Sequence, residues 1–220
     1  MPKQAILFDI DGTLVDSNEG HVDAWSRAFE AEGFQIDRAA IHDQIGKGGD
    51  NLVPSLVPDV PADVQERLEK AHGDIYKRDY LPQVQPFPGA RDLLLRTRDA
   101  GKKVVLASSA ARSELDHYVR LLDAADILDG ATSKDDVAHS KPCPDIFRAA
   151  AENAGTEPAE AIVIGDTPYD IIAARRSGIE TIALRSGRFP EDELTAERPV
   201  AIYDDVAALL KDFERSPICR

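Results

Sequence analysis

Short apolar runs, each closed by glycine or a polar residue, set the rhythm of the chain. The strongest are Ala5-Ile6-Leu7-Phe8, the run from Lys102 to Ala107, Ala161-Ile162-Val163-Ile164, and the run from Ile179 to Leu184. Continuous apolar blocks rich in Ile and Val and bounded by turn residues read as strands buried on both faces. Weaker strand patterns lie at 127–131 and 200–203. Between the runs, apolar positions recur every three or four residues over 89–100, 111–123, 143–154, 169–177 and 204–213, the spacing of helices with one buried face. Gly101, Gly155 and Gly178 stand where such helices stop. Strand–helix alternation of this kind predicts a doubly wound, mostly parallel α/β sheet.

Residues 16–84 break the alternation. Helical spacing appears at about 17–32, 37–44, 48–56 and 61–79, with no convincing strand. Leu81-Pro82 and Pro86-Phe87-Pro88-Gly89 then punctuate the return. The segment reads as an all-helical domain, 16–84, inserted into a core formed by 1–15 and 85–220. Such an insert can close over strand ends and exclude water. The plainer reading is extra helices packed on the sheet. The last residues, 215–220, read as a frayed tail.

Composition narrows the partners. The 220 residues carry a net charge of −14, with a pI near 4.7, which argues against a nucleic-acid backbone or an anionic membrane. The charge is spread along the chain, so it reads as solubility. Two cysteines, Cys143 and Cys219, lack metal-site spacing and read as incidental reduced thiols. No apolar run is long enough to span a bilayer. The first strand starts almost at once, so no signal peptide is expected, and a cytoplasmic protein is the default. Monomer and homodimer both stay open.

The candidate chemistry gathers at strand ends. Asp9 and Asp11 close the first run in Asp9-Ile10-Asp11-Gly12-Thr13. Alternation sends both to one side, and Gly12 lets the chain turn away. Carboxyl ends of strands are where open α/β sheets bind ligands. Two neighbouring acids are costly unless a cation or a proton separates them. Ser108 follows the second run, Lys141 stands in Ser140-Lys141-Pro142, and Asp166 and Asp170 follow the third run in Gly165-Asp166-Thr167-Pro168-Tyr169-Asp170. Three carboxylates, a lysine and a hydroxyl suit a divalent metal with a phosphoryl group. Carboxylate oxygens suit Mg²⁺, and lysine and hydroxyl can hold the remaining phosphate oxygens.

This set resembles the four ordered motifs of the haloacid dehalogenase superfamily, and the resemblance spans nearly the whole chain. It implies a Rossmann-like core and a helical cap of the kind inserted between the first and second motifs. The group it most resembles includes phosphoglycolate phosphatases, sugar-phosphate phosphatases and β-phosphoglucomutases. The resemblance implies Asp9 as nucleophile, forming an aspartyl-phosphate. It implies Asp11 as acid for the leaving oxygen and then base for water, with its backbone carbonyl on Mg²⁺. Ser108 and Lys141 would hold the transferring phosphoryl group, with Thr13 supporting the loop. Asp9, Asp11, Asp166 and Asp170 would serve the metal. For Asp11 to arrive protonated, neighbouring carboxylates and cap closure would have to raise its pKa above the usual value of about 3.9.

Asp11 favours a phosphoryl-transfer enzyme over a dehalogenase or phosphonatase, which lack an aspartate two residues after the nucleophile. Gly165-Asp166 replaces the Glu-Asp common in the mutase, and Gly49 stands where the mutase cap carries an arginine. His21, with Trp25, and Lys77 resemble mutase cap positions. The loop from Gly46 to Asp50 resembles the cap loop of phosphoglycolate phosphatases; Gly46 suits close backbone approach, and Lys47 could pair with a second anionic group or be a solvated connector lysine. The expectation is a Mg²⁺-dependent phosphatase acting on a small phosphorylated metabolite, either an organic acid such as phosphoglycolate or a sugar phosphate. A phosphomutase and a non-catalytic binding module on this fold are the alternatives.

Overall fold

The computed structural model describes residues 2–219. Met1 and Arg220, the outer ends of the expected core ranges and, for Arg220, of the expected tail, lie outside the described residues. In chain order the strands are β1 (Ala5–Phe8), β2 (Val15–Asp16), β3 (Gln85–Pro86), β4 (Lys103–Ala107), β5 (Gly130–Thr132), β6 (Ala161–Gly165), β7 (Glu180–Leu184) and β8 (Ala201–Tyr203). The helices are α1 (Asn18–Ala31), α2 (Arg38–His42), α3 (Gly49–Leu56), α4 (Ala62–Asp79), α5 (Ala90–Asp99), α6 (Arg112–Leu121), α7 (Asp145–Asn153), α8 (Pro168–Arg176), α9 (Glu191–Ala196) and α10 (Val206–Lys211).

Six strands form one parallel sheet in the order β5-β4-β1-β6-β7-β8. β1 lies between β4 and β6, with Ile6 opposite both Val104 and Ile162. Its side chains divide by alternation: Ile6 and Phe8 enter the apolar cluster on one face, Ala5 and Leu7 the cluster on the other. Both faces are therefore covered, which is why the strand reads as an unbroken apolar run. The chain moves outward from β1 to β4 and β5, then crosses back to β6 on β1's other side. That reversal puts a crevice at the carboxyl ends of β4, β1 and β6.

Between β2 and β3 the four helices α1–α4 pack on an apolar cluster of their own, with Val22, Trp25, Phe29, Ile41, Leu52, Val53 and Leu68 at its centre. β2 and β3 pair antiparallel, Val15 with Pro86 and Asp16 with Gln85, where the chain leaves and re-enters the core. No helix among the described residues is long and apolar enough to cross a membrane. The two thiols are unpaired.

Some expected elements move. The expected strand at 127–131 begins only at Gly130, because Ile127 turns into the core from a loop. α9, β2 and β3 were not foreseen. The expectation of a frayed tail fails within the described residues: Ser216 and Ile218 are fully buried, and Ile218 joins the core cluster against the sheet.

Candidate active site

The loop after β1 is built by its own backbone. Asp9 N–H continues the ladder to Ile164 O at 2.9 Å, Leu14 N–H returns to Ile10 O at 2.8 Å, and Gly12 N–H reaches Val15 O at 2.9 Å. Gly12 takes a φ of +73°, and a Cβ there would lie 2.1 Å from Asp166 Oδ2. Only glycine allows both the turn and the approach.

Asp9, Asp166 and Asp170 converge from the ends of β1 and β6 and from the first turn of α8. Their carboxylate oxygens all lie within 4.8 Å of one another, and all three residues are buried. Lys141, 1% exposed, arrives from the loop before α7. Its ammonium pairs with Asp9 Oδ1 and lies 2.7 Å from Asp170 Oδ1. Thr13 Oγ1 donates to Asp166 Oδ1 at 2.8 Å, and Asn18 Nδ2 donates to Asp166 Oδ2 at 3.1 Å. Asp170 is fixed by a reciprocal cap: its carboxylate accepts from Thr167 N–H at 3.0 Å, while its own N–H donates to Thr167 Oγ1.

One ammonium does not balance three buried carboxylates. Burial pushes Asp9 up to about 7, against the pull of Lys141 and with the charges of Asp170 and Asp11 adding to the rise. Asp166 is driven well above the ordinary carboxylate range by burial and then by Asp9 and Asp170. Burial works against the charge on Lys141, but Asp170 and Asp9 outweigh it and hold the amine above its usual value. Asn18 Oδ1, on a side chain that touches Asp166, is buried without a partner. A crowded set of hard oxygen donors with surplus negative charge fits a divalent cation, held by Asp9, Asp166 and Asp170.

Asp11 lies apart from this triad and corrects one expectation. Its Oδ1 accepts from Ser17 Oγ at 2.7 Å and Tyr118 Oη at 2.8 Å, and lies 3.2 Å from His21 Nε2. Burial alone would raise this carboxyl, but His21, Ser17 and Tyr118 outweigh it and bring it down to about 2. The expected upward shift is therefore reversed, because the hydrogen-bond donors that touch the group outweigh burial. Tyr118 Oη also meets Tyr76 Oη at 2.6 Å, and the His21 ring stacks on Tyr76 at 3.7 Å.

Above these groups lies a cleft with about 710 Å³ of empty space, part of it open to solvent. Its core wall includes Asp9, Asp11, Ser109, Glu114 and Lys141; its helical wall includes His21, Trp25, Gly46, Lys47, Glu69 and His72. Gly46 (φ +99°) brings the cap loop so close to α8 that a Cβ would lie 2.7 Å from Thr167. Lys47 lines the cleft, but its ammonium donates to Ser55 Oγ at 3.0 Å and Gln44 Oε1 and sits over the Tyr169 ring. Ser108 is fully buried, and its Oγ accepts from Ala110 N–H at 3.0 Å. Ser109, beside it, lines the cleft with a buried hydroxyl that has no partner. Lys77 is exposed and is not among the residues lining the cleft. The cap loop is tied to the lysine loop through Ser140, which donates from its backbone N–H (3.1 Å) and its hydroxyl to Asp50 and accepts from Gly48 N–H at 2.9 Å. Ser109, Glu114, His72, Tyr76 and Tyr118 escaped the sequence reading, since only the folded chain brings them to Asp11 and the cleft.

A parallel α/β sheet carries a buried aspartate triad and a lysine at its switch point, beneath helices inserted between β2 and β3. The chain belongs to the haloacid dehalogenase-like hydrolase family, whose description matches residues 6–184. A phosphoglycolate phosphatase of Rhodospirillum rubrum is 29% identical over 95% of this chain and 90% of its own length. A validoxylamine A 7'-phosphate phosphatase of Streptomyces hygroscopicus is 27% identical over 90% of this chain and 92% of its own. The solved structure of a hydrolase from Pseudomonas syringae superposes with a TM-score of 0.91 at 32% identity, covering 97% of this chain and 99% of that one. The chain is an enzyme of the phosphatase kind within this family.

Proposed function

We propose that the protein is a Mg²⁺-dependent phosphatase that hydrolyses a small phosphomonoester through an aspartyl-phosphate on Asp9. One observation carries this reading: Asp9 sits at the cleft floor, paired with Lys141 and within reach of Asp166 and Asp170. A bound Mg²⁺, held by Asp9, Asp166 and Asp170, would neutralise phosphoryl charge. Asp9 attacks phosphorus as the bond to the leaving oxygen breaks, and Lys141 offsets the equatorial charge. Ser109 offers the phosphoryl group an unengaged hydroxyl beside Ser108. Thr13 holds Asp166 in place. Asp11 accepts the proton of the water that cleaves the acyl-phosphate, a role that suits a carboxylate held ionised. To act first as the acid for the leaving oxygen, Asp11 gives up its contacts with His21, Ser17 and Tyr118, takes a proton from solvent and passes it to that oxygen, and is then the carboxylate that accepts a proton from water.

The helical block over 16–84 serves as a cap on the core of 1–15 and 85–220, and excludes water when closed. The phosphatase is favoured over the mutase because, among the described residues, no lysine or arginine on the helical wall is free to hold a second phosphate: Lys47 is engaged, and Gly49 has no side chain. The substrate is a small phosphorylated metabolite, an organic acid or a sugar. Neither nucleic acid nor membrane suits the negative charge, and a cytoplasmic monomer or homodimer is expected.

The test is release of phosphate from p-nitrophenyl phosphate. Turnover should require Mg²⁺, stop with chelator, vanish in Asp9→Asn and fall severely in Asp11→Asn, while Asp11→Asn keeps its metal affinity. A fully active Asp9→Asn protein refutes the assignment.

A further inference from the structure

Glu114 is a carboxylate without an assigned task. It lies in the first turn of α6, is only 6% exposed, and lines the cleft. Among the described residues its carboxylate makes no hydrogen bond or ion pair. A first-turn acid is favoured by the helix dipole, but that role asks for neither burial nor a place on the cleft wall. A buried acceptor left unpaired costs folding free energy. Burial pushes its carboxyl above the ordinary value, with the charges of His21 and Lys134 opposing the rise and that of Asp11 adding to it.

The rest of the wall points the same way. Glu69 faces the cleft as a second carboxylate, held by Gln65 Nε2 at 3.0 Å. Three lysines line the cleft. Lys141 is engaged by Asp9 and Asp170, and Lys47 by Gln44, Ser55 and Tyr169. Lys134 alone of the three makes no side-chain hydrogen bond or ion pair among the described residues, and it is exposed at the rim. Burial holds the His72 ring well below the usual histidine value, so it adds no positive charge near neutral pH. His72 stacks on Trp25 at 4.1 Å with 10° between the planes, giving the helical wall a broad flat face. A second phosphate or a carboxylate on the substrate would meet Glu69 and Glu114 with no free cation deep in the cleft.

We propose that the leaving group this cleft accepts is hydroxyl-rich, of the sugar or cyclitol kind, and carries no second anionic group, with Glu114 as the acceptor that binds its hydroxyls. The inference rests on the phosphatase reading and selects within it. The C–H face of such a ring lies on the Trp25–His72 surface while its hydroxyls satisfy Glu114. A site built to hydrogen-bond a hydroxyl discriminates strongly against analogues that lack one, because its own buried group is then left unpaired.

The experiment measures kcat/KM with Mg²⁺ for p-nitrophenyl phosphate, hexose, pentose and cyclitol monophosphates, phosphoglycolate and pyrophosphate. The best hydroxylated ester should exceed phosphoglycolate and pyrophosphate by about tenfold or more, the ratio given by about 1.4 kcal/mol. Glu114→Leu removes the acceptor at similar volume. It should lower the ratio of that ester to p-nitrophenyl phosphate by about tenfold, chiefly through KM, and Glu114→Gln, which keeps an acceptor oxygen, should recover part of the loss. Preference for phosphoglycolate or pyrophosphate in the wild type overturns the proposal, as does a ratio that survives Glu114→Leu. Absence of p-nitrophenyl phosphate turnover is a failure of the phosphatase reading instead. Calorimetric binding of the same compounds to the wild-type protein with Mg²⁺ then decides the recognition claim by the same order of affinities.

Discussion

Asp9 and Asp11 stand two residues apart, yet their surroundings move their acidities in opposite directions. Asp9 is raised to about 7, chiefly by burial. Asp11, which keeps some exposure to solvent, is brought down to about 2 by His21 and two hydroxyl donors that outweigh burial. Divergent environments for paired carboxylates are a way to divide nucleophile and acid–base duties. The same region contains a group whose effect on stability can be measured. His72 is held neutral by burial, so the native state refuses a proton that the unfolded chain takes up below about pH 6.5. A base whose folded pKa is depressed gives stability that is intact above the unfolded value and lost as pH falls below it. Urea unfolding at pH 7.5 and 5.5 should therefore show the wild type losing about 1 kcal/mol more than His72→Gln on acidification. Equal losses in both proteins would show that His72 titrates normally.

At the scale of elements, the parallel strands were readable because burial on both faces makes each one a plain apolar run. β1, β4, β6 and β7 follow their runs to within a residue or two. The weaker pattern at 200–203 holds as β8, but the shortest elements left no pattern to read. α9 spans six residues, of which Leu194 is the buried apolar one, too few to show a helical period. β2 and β3 are two residues each and exist through pairing with one another. Ile127 looked like strand but packs from a loop. The tail looked polar, and Ile218, its one buried apolar side chain among the described residues, gave no periodic signal. That side chain now carries an expectation: Ile218→Ala should cost about 2–5 kcal/mol, as for other fully buried aliphatics. Chemical denaturation measures it, and a change below about 0.5 kcal/mol, the range of surface substitutions, would return the tail to the frayed reading. For the site, the acids were legible because they follow β1 and β6 directly, whereas Lys141, which adjoins no strand, stood out only through its resemblance to a family motif. Tyr118 and Glu114 on α6, and His72 and Tyr76 on α4, look like ordinary residues of amphipathic helices until tertiary packing turns them toward Asp11 and the cleft.

At the scale of the molecule, a chain of net charge −14 has to hold a phosphate ester at a floor already crowded with carboxylates. The fold answers by burying Lys141 against Asp9 and Asp170 and by tying its loop to the cap through Ser140 and Asp50. The Gly46–Asp50 loop and the Lys141 loop are thus hydrogen-bonded to one another beside the cleft. All of this gains meaning only if Asp9 takes the phosphoryl group. The most direct measurement is mass spectrometry of protein quenched in acid during turnover of p-nitrophenyl phosphate with Mg²⁺. The peptide containing Asp9 should gain the mass of one phosphoryl group, and the gain should be absent in Asp9→Asn. A phosphoryl group on any other residue, or full turnover by Asp9→Asn, would contradict the account.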